Sequence, residues 1–461
     1  MNAQLHAPQH SLYAAQQKIY PREVTGRFAR LRVAAVLVLL GIFYGLPWLQ
    51  WDGRQAVLFD LPARKFYIFG ITFFPQDFFL LTWLLVIAAL SLFFFTALGG
   101  RLWCGYACPQ TVWTQAFVWM ERLAEGKRAQ RIKLDKQPWT FNKLWRKSLK
   151  QVLWISFSVY TGYSFVGYFS PIHGLAEGIT QFSLGSWETF WVLFYGFATY
   201  GNAGHMREQV CKYMCPYARF QSAMFDRNTL IISYDAKRGE PRGSRARGDN
   251  DQLAKQGQGD CVDCTLCVQA CPTGIDIRRG LQYDCIACAA CIDACDAVMD
   301  KLGSPRGLVR YSTQAQLDGK ATRILRLRIF IYAMLLTLLT AGFGYAVTHR
   351  MPFDVDVLRD RNALYRTTSE GLIENVYSIR IINKDQHPHA FQLSIDGLPN
   401  ATIDTDVPQP VVAGGAVMTI VIRVRVPEGQ EHGGRDIEVI AKAIDRPALH
   451  VTSKARFFAE P

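Results

Sequence analysis

Five stretches of the chain stay apolar for about twenty residues each, the length a helix needs to cross the hydrocarbon core of a bilayer. They are 31–51, 77–98, 151–170, 187–205 and 327–347. Gly196, Gly201 and Gly204 interrupt the fourth run, which membrane helices tolerate better than soluble ones. The pattern predicts five spans. Past residue 350 it changes. NVYSIRIINK, HAFQLSIDG, AVMTIVIRVRV and DIEVIAKAI alternate apolar and polar positions, with Gly, Pro and Asn between them. That period of two predicts antiparallel strands in a small sandwich. Between the fourth and fifth runs, 235–259 is charged, rich in glycine and without apolar periodicity, so it reads as a flexible linker.

Charge adds an orientation. The 51 Lys and Arg outnumber the 38 Asp and Glu, giving +13. The excess flanks the apolar runs: Lys18, Arg22, Arg27, Arg30 and Arg32 before the first, eleven basic residues across 99–150, and Arg323, Arg326 and Arg328 before the fifth. The 171–186 loop has none. By the positive-inside rule the N-terminus, 99–150 and 206–326 are cytoplasmic, and 351–461 lies across the membrane. Basic residues used in this way argue against nucleic acid as a partner and for membrane lipid. The first 30 residues are polar and show no cleavable signal peptide.

All twelve cysteines fall between 104 and 295, unlike a secreted disulfide scaffold. CVDCTLCVQACP (261–272) and CIACAACIDACD (285–296) each read C-x2-C-x2-C-x3-C. In this bacterial ferredoxin run three thiolates wrap one cubane and the fourth serves the other. Cys261, Cys264, Cys267 and Cys295 are therefore expected to hold one [4Fe-4S] cluster, and Cys285, Cys288, Cys291 and Cys271 the second. Structural zinc uses well-separated C-x2-C pairs and suits two tandem runs less well. No C-x-x-C is followed by His, which excludes c-type haem. The second run ends in Cys-Asp where Cys-Pro is usual, placing charge beside a cluster.

CGYACP (104–109) and CKYMCP (211–216) form a second pair of motifs, each just after an apolar run. Proline disfavours helix at the preceding residue and restarts the chain. The copies suggest a pseudo-repeat in which Cys104, Cys108, Cys211 and Cys215 converge. Soft thiolates favour Cu(I), zinc or iron–sulfur iron. Beside two one-electron carriers, a copper-reducing site is a sensible expectation; another cluster or a redox disulfide stays open. Met206, Met214 and His205 are nearby in sequence but read first as structural. His387 and His389, around Pro388 in the tail, read first as solvated turn residues, with weak metal binding as the alternative.

RLWCGYACPQTVW, CKYMCPYARFQ, GDCVDCTLCVQACPTGIDIR, YDCIACAACIDACD, PRGLVRY and VLRDRNALYR together resemble the cytochrome c oxidase accessory protein family, also called FixG, RdxA or CcoG. The resemblance covers nearly the whole chain after the first 15 or so residues. It implies a bacterial inner-membrane protein that reduces Cu(II) to Cu(I) for the copper centre of the cbb3-type oxidase. It also implies an immunoglobulin-like periplasmic tail, and a copper exporter or chaperone and oxidase assembly factors as partners. The implied sites are clusters on the eight ferredoxin cysteines, with copper or redox thiols on Cys104, Cys108, Cys211 and Cys215. The electron donor is not implied.

The expected architecture is a multi-pass α-helical membrane protein of about five spans, an inserted α+β ferredoxin domain and a C-terminal β-sandwich. Its divisions are a tail (1–30), a four-span domain with both CxxxCP units (31–227), a linker (228–260), the 2[4Fe-4S] ferredoxin domain (261–312), the fifth span with its flanks (313–350) and the sandwich (351–461). Two rival functions stay open: a quinol-linked electron carrier, and a redox-sensing assembly scaffold without catalysis.

Overall fold

The structure is a computed structural model that describes residues 18–244, 257–361, 363–429 and 432–460. The chain forms two compact units. One takes the chain up to Gly45, then Ala88–Val166 and Leu184–Leu336; the other takes Leu46–Ile87, Gly167–Ser183 and the chain from Thr337 on.

The helices that matter to the first unit are α1 (Arg27–Gly45), α2 (Phe78–Gly99), α3 (Leu102–Tyr106), α4 (Pro109–Glu125), α5 (Phe141–Val166), α6 (Ser186–Thr199), α7 (Pro216–Ala223), α8 (Leu266–Ala270), α9 (Ala290–Leu302) and α10 (Leu327–Thr348). Three helical stretches among the described residues are long and apolar enough to cross a membrane: Arg27–Trp48, Pro75–Gly99 and Leu327–Thr348. The other two of the five expected spans do not meet that measure. The third and fourth runs are helical, as α5 and α6, but α5 carries Lys143, Lys147 and Lys150 and buries Ser158, Thr161 and Ser164. Helix α6 has 14 residues before π-helical turns at Tyr200–Met206. The two pack backbone to backbone through glycine, as small residues allow. A Cβ on Gly162 would run into the Val192 carbonyl, and one on Gly196 would lie 3.3 Å from the Ser158 oxygen. Val152, Ile155, Phe190 and Phe197 remain exposed on the pair.

The linker expectation also needs correction at its near end. Ile231–Tyr234 (β1) is a fully buried strand, antiparallel to Val309–Ser312 (β2). Its β-branched start suits a pleated, buried position, so the ferredoxin fold begins some thirty residues before its first cysteine. Residues 245–256 of the linker lie outside the described residues.

In the second unit the tail is the expected sandwich. Strands β3 (Phe353–Arg359), β4 (Leu372–Asn383), β5 (His389–Asp396), β6 (Thr402–Thr405), β7 (Val417–Pro427), β8 (Gly434–Ala443) and β9 (His450–Phe458) form two sheets. One sheet has the order β6-β7-β4-β3. In the other, β5 and β8 are central, flanked by Val411–Val412 and β9. Tyr377 faces Ile422 and Ile379 faces Ile420 across β4 and β7. Tyr377, Ile379, Phe391, Ile422 and Val439 are buried between the sheets, each contributing roughly 1.5–3 kcal/mol of hydrophobic stabilisation. His389 departs from expectation. It is 2% exposed and meets Asp445 through Nδ1 (2.7 Å) and Asp385 through Nε2 (3.1 Å). Asp77, also buried, accepts from Arg350 and Lys384 at 2.9 Å each. These buried ion pairs hold the loop before α2 to the sandwich side of the same unit.

Candidate iron–sulfur and thiol centre

The two ferredoxin runs fold into matching loops. Asp263 and Thr265 flank Cys264 with φ of 51° and 56°; Ala287 and Ala289 flank Cys288 with φ of 55° and 58°. Non-glycine residues enter this left-handed region at a cost, and functional loops are where it is tolerated. Alternation of this kind turns successive backbone N–H groups toward one centre, as in many Fe–S sites. Cys261, Cys264, Cys267 and Cys295 line one cavity. Cys285, Cys288, Cys291 and Cys271 line another, with Cys267 between the two. The crossed ligand sets expected from the sequence are the ones brought together.

The donor chemistry fits cubane iron. Burial, then the Asp276 carboxylate and the Cys264 thiol, pushes Cys267 up to about 11 against the opposing charge of Arg278; burial drives Cys285 and Cys295 up to about 12. Such thiols keep their protons until a metal displaces them. Asp296, in place of the usual proline, accepts a hydrogen bond from the Gly307 amide at 3.0 Å. Its charge also raises Cys295.

The CxxxCP units repeat in structure as in sequence. Cys104 lies in α3; Cys108 is extended (φ −60°, ψ 129°) and Pro109 opens α4. Cys211 lies in a π-helical turn at Val210–Met214; Cys215 is extended (φ −82°, ψ 107°) and Pro216 opens α7. In both, the proline ends one helix and starts the next. The four thiols gather. Burial, reinforced by charge on Cys108, Cys211 and Cys215, pushes Cys104 up to about 12, and Cys211 rises to about 11 by burial with Cys108 and Cys215. The segment before the second CxxxCP motif is pinned to the first motif by Gln110, whose amide donates to the carbonyls of Asn202 (2.8 Å) and Arg207 (3.0 Å). Arg207 in turn donates to Glu121 at 2.8 Å. Among the described residues, no three His, Cys, Asp or Glu side chains close on the small shell of one metal ion. His205 packs edge-on to Trp154 and Tyr200, and Met214 is exposed.

Thiol centre and ferredoxin loops meet on one side. Cys104 packs against the apolar cluster of Ala270, Ile286, Cys288, Ala290 and Ala294. Gly105 sits so close that an added Cβ would be 2.8 Å from the Ala287 oxygen and 2.9 Å from that of Ile286. Tyr106 reaches Tyr311 (3.5 Å), whose hydroxyl donates to the Ala287 carbonyl (2.7 Å). Arg101, 4% exposed, donates to the carbonyls of Tyr283, Cys285 (3.0 Å) and Ala218, joining the second-cavity loop to α7. All these contacts go to residues 283–288 and their flank, so the second cavity is the one beside the four thiols.

Sequence reading missed Arg32, Arg101 and Asp293. The two arginines were counted as topological charge, yet Arg32 donates to the Cys288 carbonyl. Asp293, in α9, caps the first turn of α1 through Phe28 N (3.2 Å) and Ala29 N (2.6 Å). No local signal reveals a cap supplied from 264 residues away. Asp293→Ala is expected to cost about 1 kcal/mol, the usual worth of such a cap. Asp293→Asn should restore most of it in thermal unfolding of the full chain.

Three family models match the chain: a 4Fe-4S binding domain over residues 80–128, a 4Fe-4S dicluster domain over 206–314 and an IG-like fold at the C-terminus of FixG over 343–460. Among curated proteins, Protein RdxA of Cereibacter sphaeroides is 39% identical over 91% of this chain and 92% of its own length. Nitrogen fixation protein FixG of Rhizobium meliloti is 38% identical over 85% of this chain and 82% of its own. A solved FixG-related protein from Vibrio parahaemolyticus aligns with 24% of this chain and 98% of its own, at 23% identity and TM-score 0.22.

Proposed function

The chain belongs to the FixG/RdxA family of iron–sulfur redox proteins, and from that premise we propose that it delivers single electrons from its ferredoxin domain to the four-thiol centre, where Cu(II) is reduced to Cu(I). The product would supply the copper centre of a cbb3-type oxidase, through a copper exporter or chaperone. On this reading the protein sits in a bacterial inner membrane, with the ferredoxin domain cytoplasmic and the sandwich periplasmic. The observation that carries it is the packing of Cys104 and Gly105 directly on the Ile286–Cys288 loop.

The eight ferredoxin cysteines would hold two [4Fe-4S] clusters, which supply one-electron chemistry when bound. The chain's own residues supply position. Arg101 and Tyr311 fix the 283–288 loop by its carbonyls, and Gly105 lets α3 approach without a side chain between. Soft thiolates favour a soft ion in the lower oxidation state.

A specific observation favours a second occupant. Residues 80–128 match a 4Fe-4S binding model yet contain only Cys104 and Cys108; Cys211 and Cys215 would complete a cubane's four ligands. Metal analysis of the purified chain with all four cysteines changed to alanine separates the two. The copper reading expects unchanged iron, with copper binding and Cu(II) reduction lost. Loss of about a third of the iron marks a third cubane. Unimpaired Cu(II) reduction would remove the four thiols from the reaction and overturn this reading.

A further inference from the structure

We propose that the cavity between Cys211 and the Cys288 loop is a quinol-binding site, and that quinol is the reductant of this protein. The proposal rests on the electron-transfer reading but not on copper as the acceptor.

The cavity lies wholly within the first unit and has a volume of about 150 Å³. A cavity of this size with apolar walls takes a benzene ring. One wall is the second ferredoxin loop, through Ile286, Cys288 and Ala290; another holds Cys211 of the thiol centre. A molecule bound there touches residues of both redox sites. Further walls come from the segment before α1, with Ile19 and Val24, from the first turns of α1, with Ala29 and Val33, and from α4, with Thr114 and Val118. Helix α1 is one of the three long and apolar enough to cross a membrane, and its first turns form part of the wall.

Charge excludes a cation. Four arginines line the cavity against one carboxylate, Glu208, which disfavours a bare metal cation. Yet the arginines are engaged. Arg207 is paired with Glu121, Arg122 with Glu23 at 3.5 Å, Arg22 donates to Gln269 and Arg32 to the Cys288 carbonyl. Arg207 and Arg122 are thereby neutralised by carboxylates, while Arg22 and Arg32 keep their charge and can donate to a ring oxygen. Polar groups remain for the ends of a ring. Thr114 accepts from Gln110 and keeps its own O–H to donate. The Gln115 side chain lines the cavity and makes no hydrogen bond among the described residues. A largely apolar pocket with a few placed polar groups is the usual form of a small-molecule site. A planar ring with an oxygen at each end meets these demands.

The chemistry balances. Oxidation of the quinol breaks its two O–H bonds and releases two electrons and two protons. The electrons are taken singly by [4Fe-4S] clusters, the oxidants here. Glu208 accepts one proton and water the other.

The test uses the full-length, cluster-loaded protein in detergent, titrated with decylubiquinone, with binding followed by calorimetry. Saturable binding is expected in the wild type. Thr114→Trp, which fills the cavity, should weaken it at least about tenfold, and Gln115→Ala by several-fold, as loss of a hydrogen-bonding partner does. Decylubiquinol should bleach the visible cluster absorbance of the wild type and do so far more slowly in Thr114→Trp, while dithionite bleaches all three proteins alike. Should Thr114→Trp lose its clusters, Gln115→Ala decides. No saturable binding, binding indifferent to the variants, or clusters that stay oxidised with quinol bound would each overturn the proposal. Quinol reduction without Cu(II) reduction would sink the copper reading and leave this one standing.

Discussion

Cys295→Ala protein is expected to lose roughly half its iron, since each of the two ferredoxin cubanes carries four atoms, and the half it loses is the unexpected one. Cys295 closes the second ferredoxin run, so a run-by-run assignment puts its loss on the cluster of Cys285, Cys288 and Cys291. In the structure it lines the cavity of Cys261, Cys264 and Cys267 instead. Helix α9 is the cause. It starts at Ala290, within the second loop, and carries residue 295 more than a turn onward to the other cavity. The electron paramagnetic resonance spectrum of reduced Cys295→Ala should therefore match that of Cys264→Ala. Cys271→Ala should match Cys288→Ala, because Cys271 lines the second cavity. Alanine is chosen because a serine oxygen can still ligate iron. Cluster binding is also folding energy, so each variant should melt earlier than the wild type. A Cys295→Ala spectrum that matched Cys288→Ala would break the crossed assignment.

Some of this was legible in the chain and some was not, for physical reasons. The crossed ligand set follows from spacing alone, because three thiols within seven residues can only wrap one cube. The sandwich follows from period-two alternation. The helix breaks at Pro109 and Pro216 follow from the missing proline N–H. Hydropathy marked five runs alike, yet the α5–α6 pair differs from the other three in packing glycines and buried hydroxyls against each other. Strand β1 was hidden because four residues ahead of a charged, glycine-rich stretch carry little periodicity. His389 looked solvated beside Pro388, yet its partner Asp445 stands 56 residues away. The arginines were the costliest omission. Arg32 and Arg101 flank apolar runs and satisfy the positive-inside count, which left no reason to ask what their guanidinium groups touch. Both donate to backbone carbonyls of the second ferredoxin loop. Long-range partners of this kind leave no local trace.

Gly105→Ala sets local propensity against tertiary contact. Inside helix α3, replacing glycine by alanine should favour the helix by about 1 kcal/mol. The new methyl, however, points at backbone, at 2.8 Å from the Ala287 oxygen, 2.9 Å from the Ile286 oxygen and 3.0 Å from the Ala287 carbonyl carbon. No side chain can swing aside, so α3 and the 286–287 loop must part. The expected outcome is net destabilisation of about 1–3 kcal/mol, the usual range for overpacking. The functional effect is larger. Every cysteine keeps its ligand set, so iron content should hold. Yet the Cys104 contact with Ile286 and Cys288 loosens together with the Arg101 bonds to Tyr283 and Cys285. A misplacement of about 1 Å between reacting groups can cost about 100-fold, and a drop of that order in reduction of an acceptor at the four thiols is expected. Gly41→Ala in α1, where nothing stands within 4 Å, serves as the control and should change neither quantity. Stopped-flow reduction with dithionite-loaded protein, alongside iron analysis, measures both. If Gly105→Ala passed electrons at the wild-type rate while destabilised, α3 would be a structural strut, and the electrons would leave by another face of the ferredoxin domain.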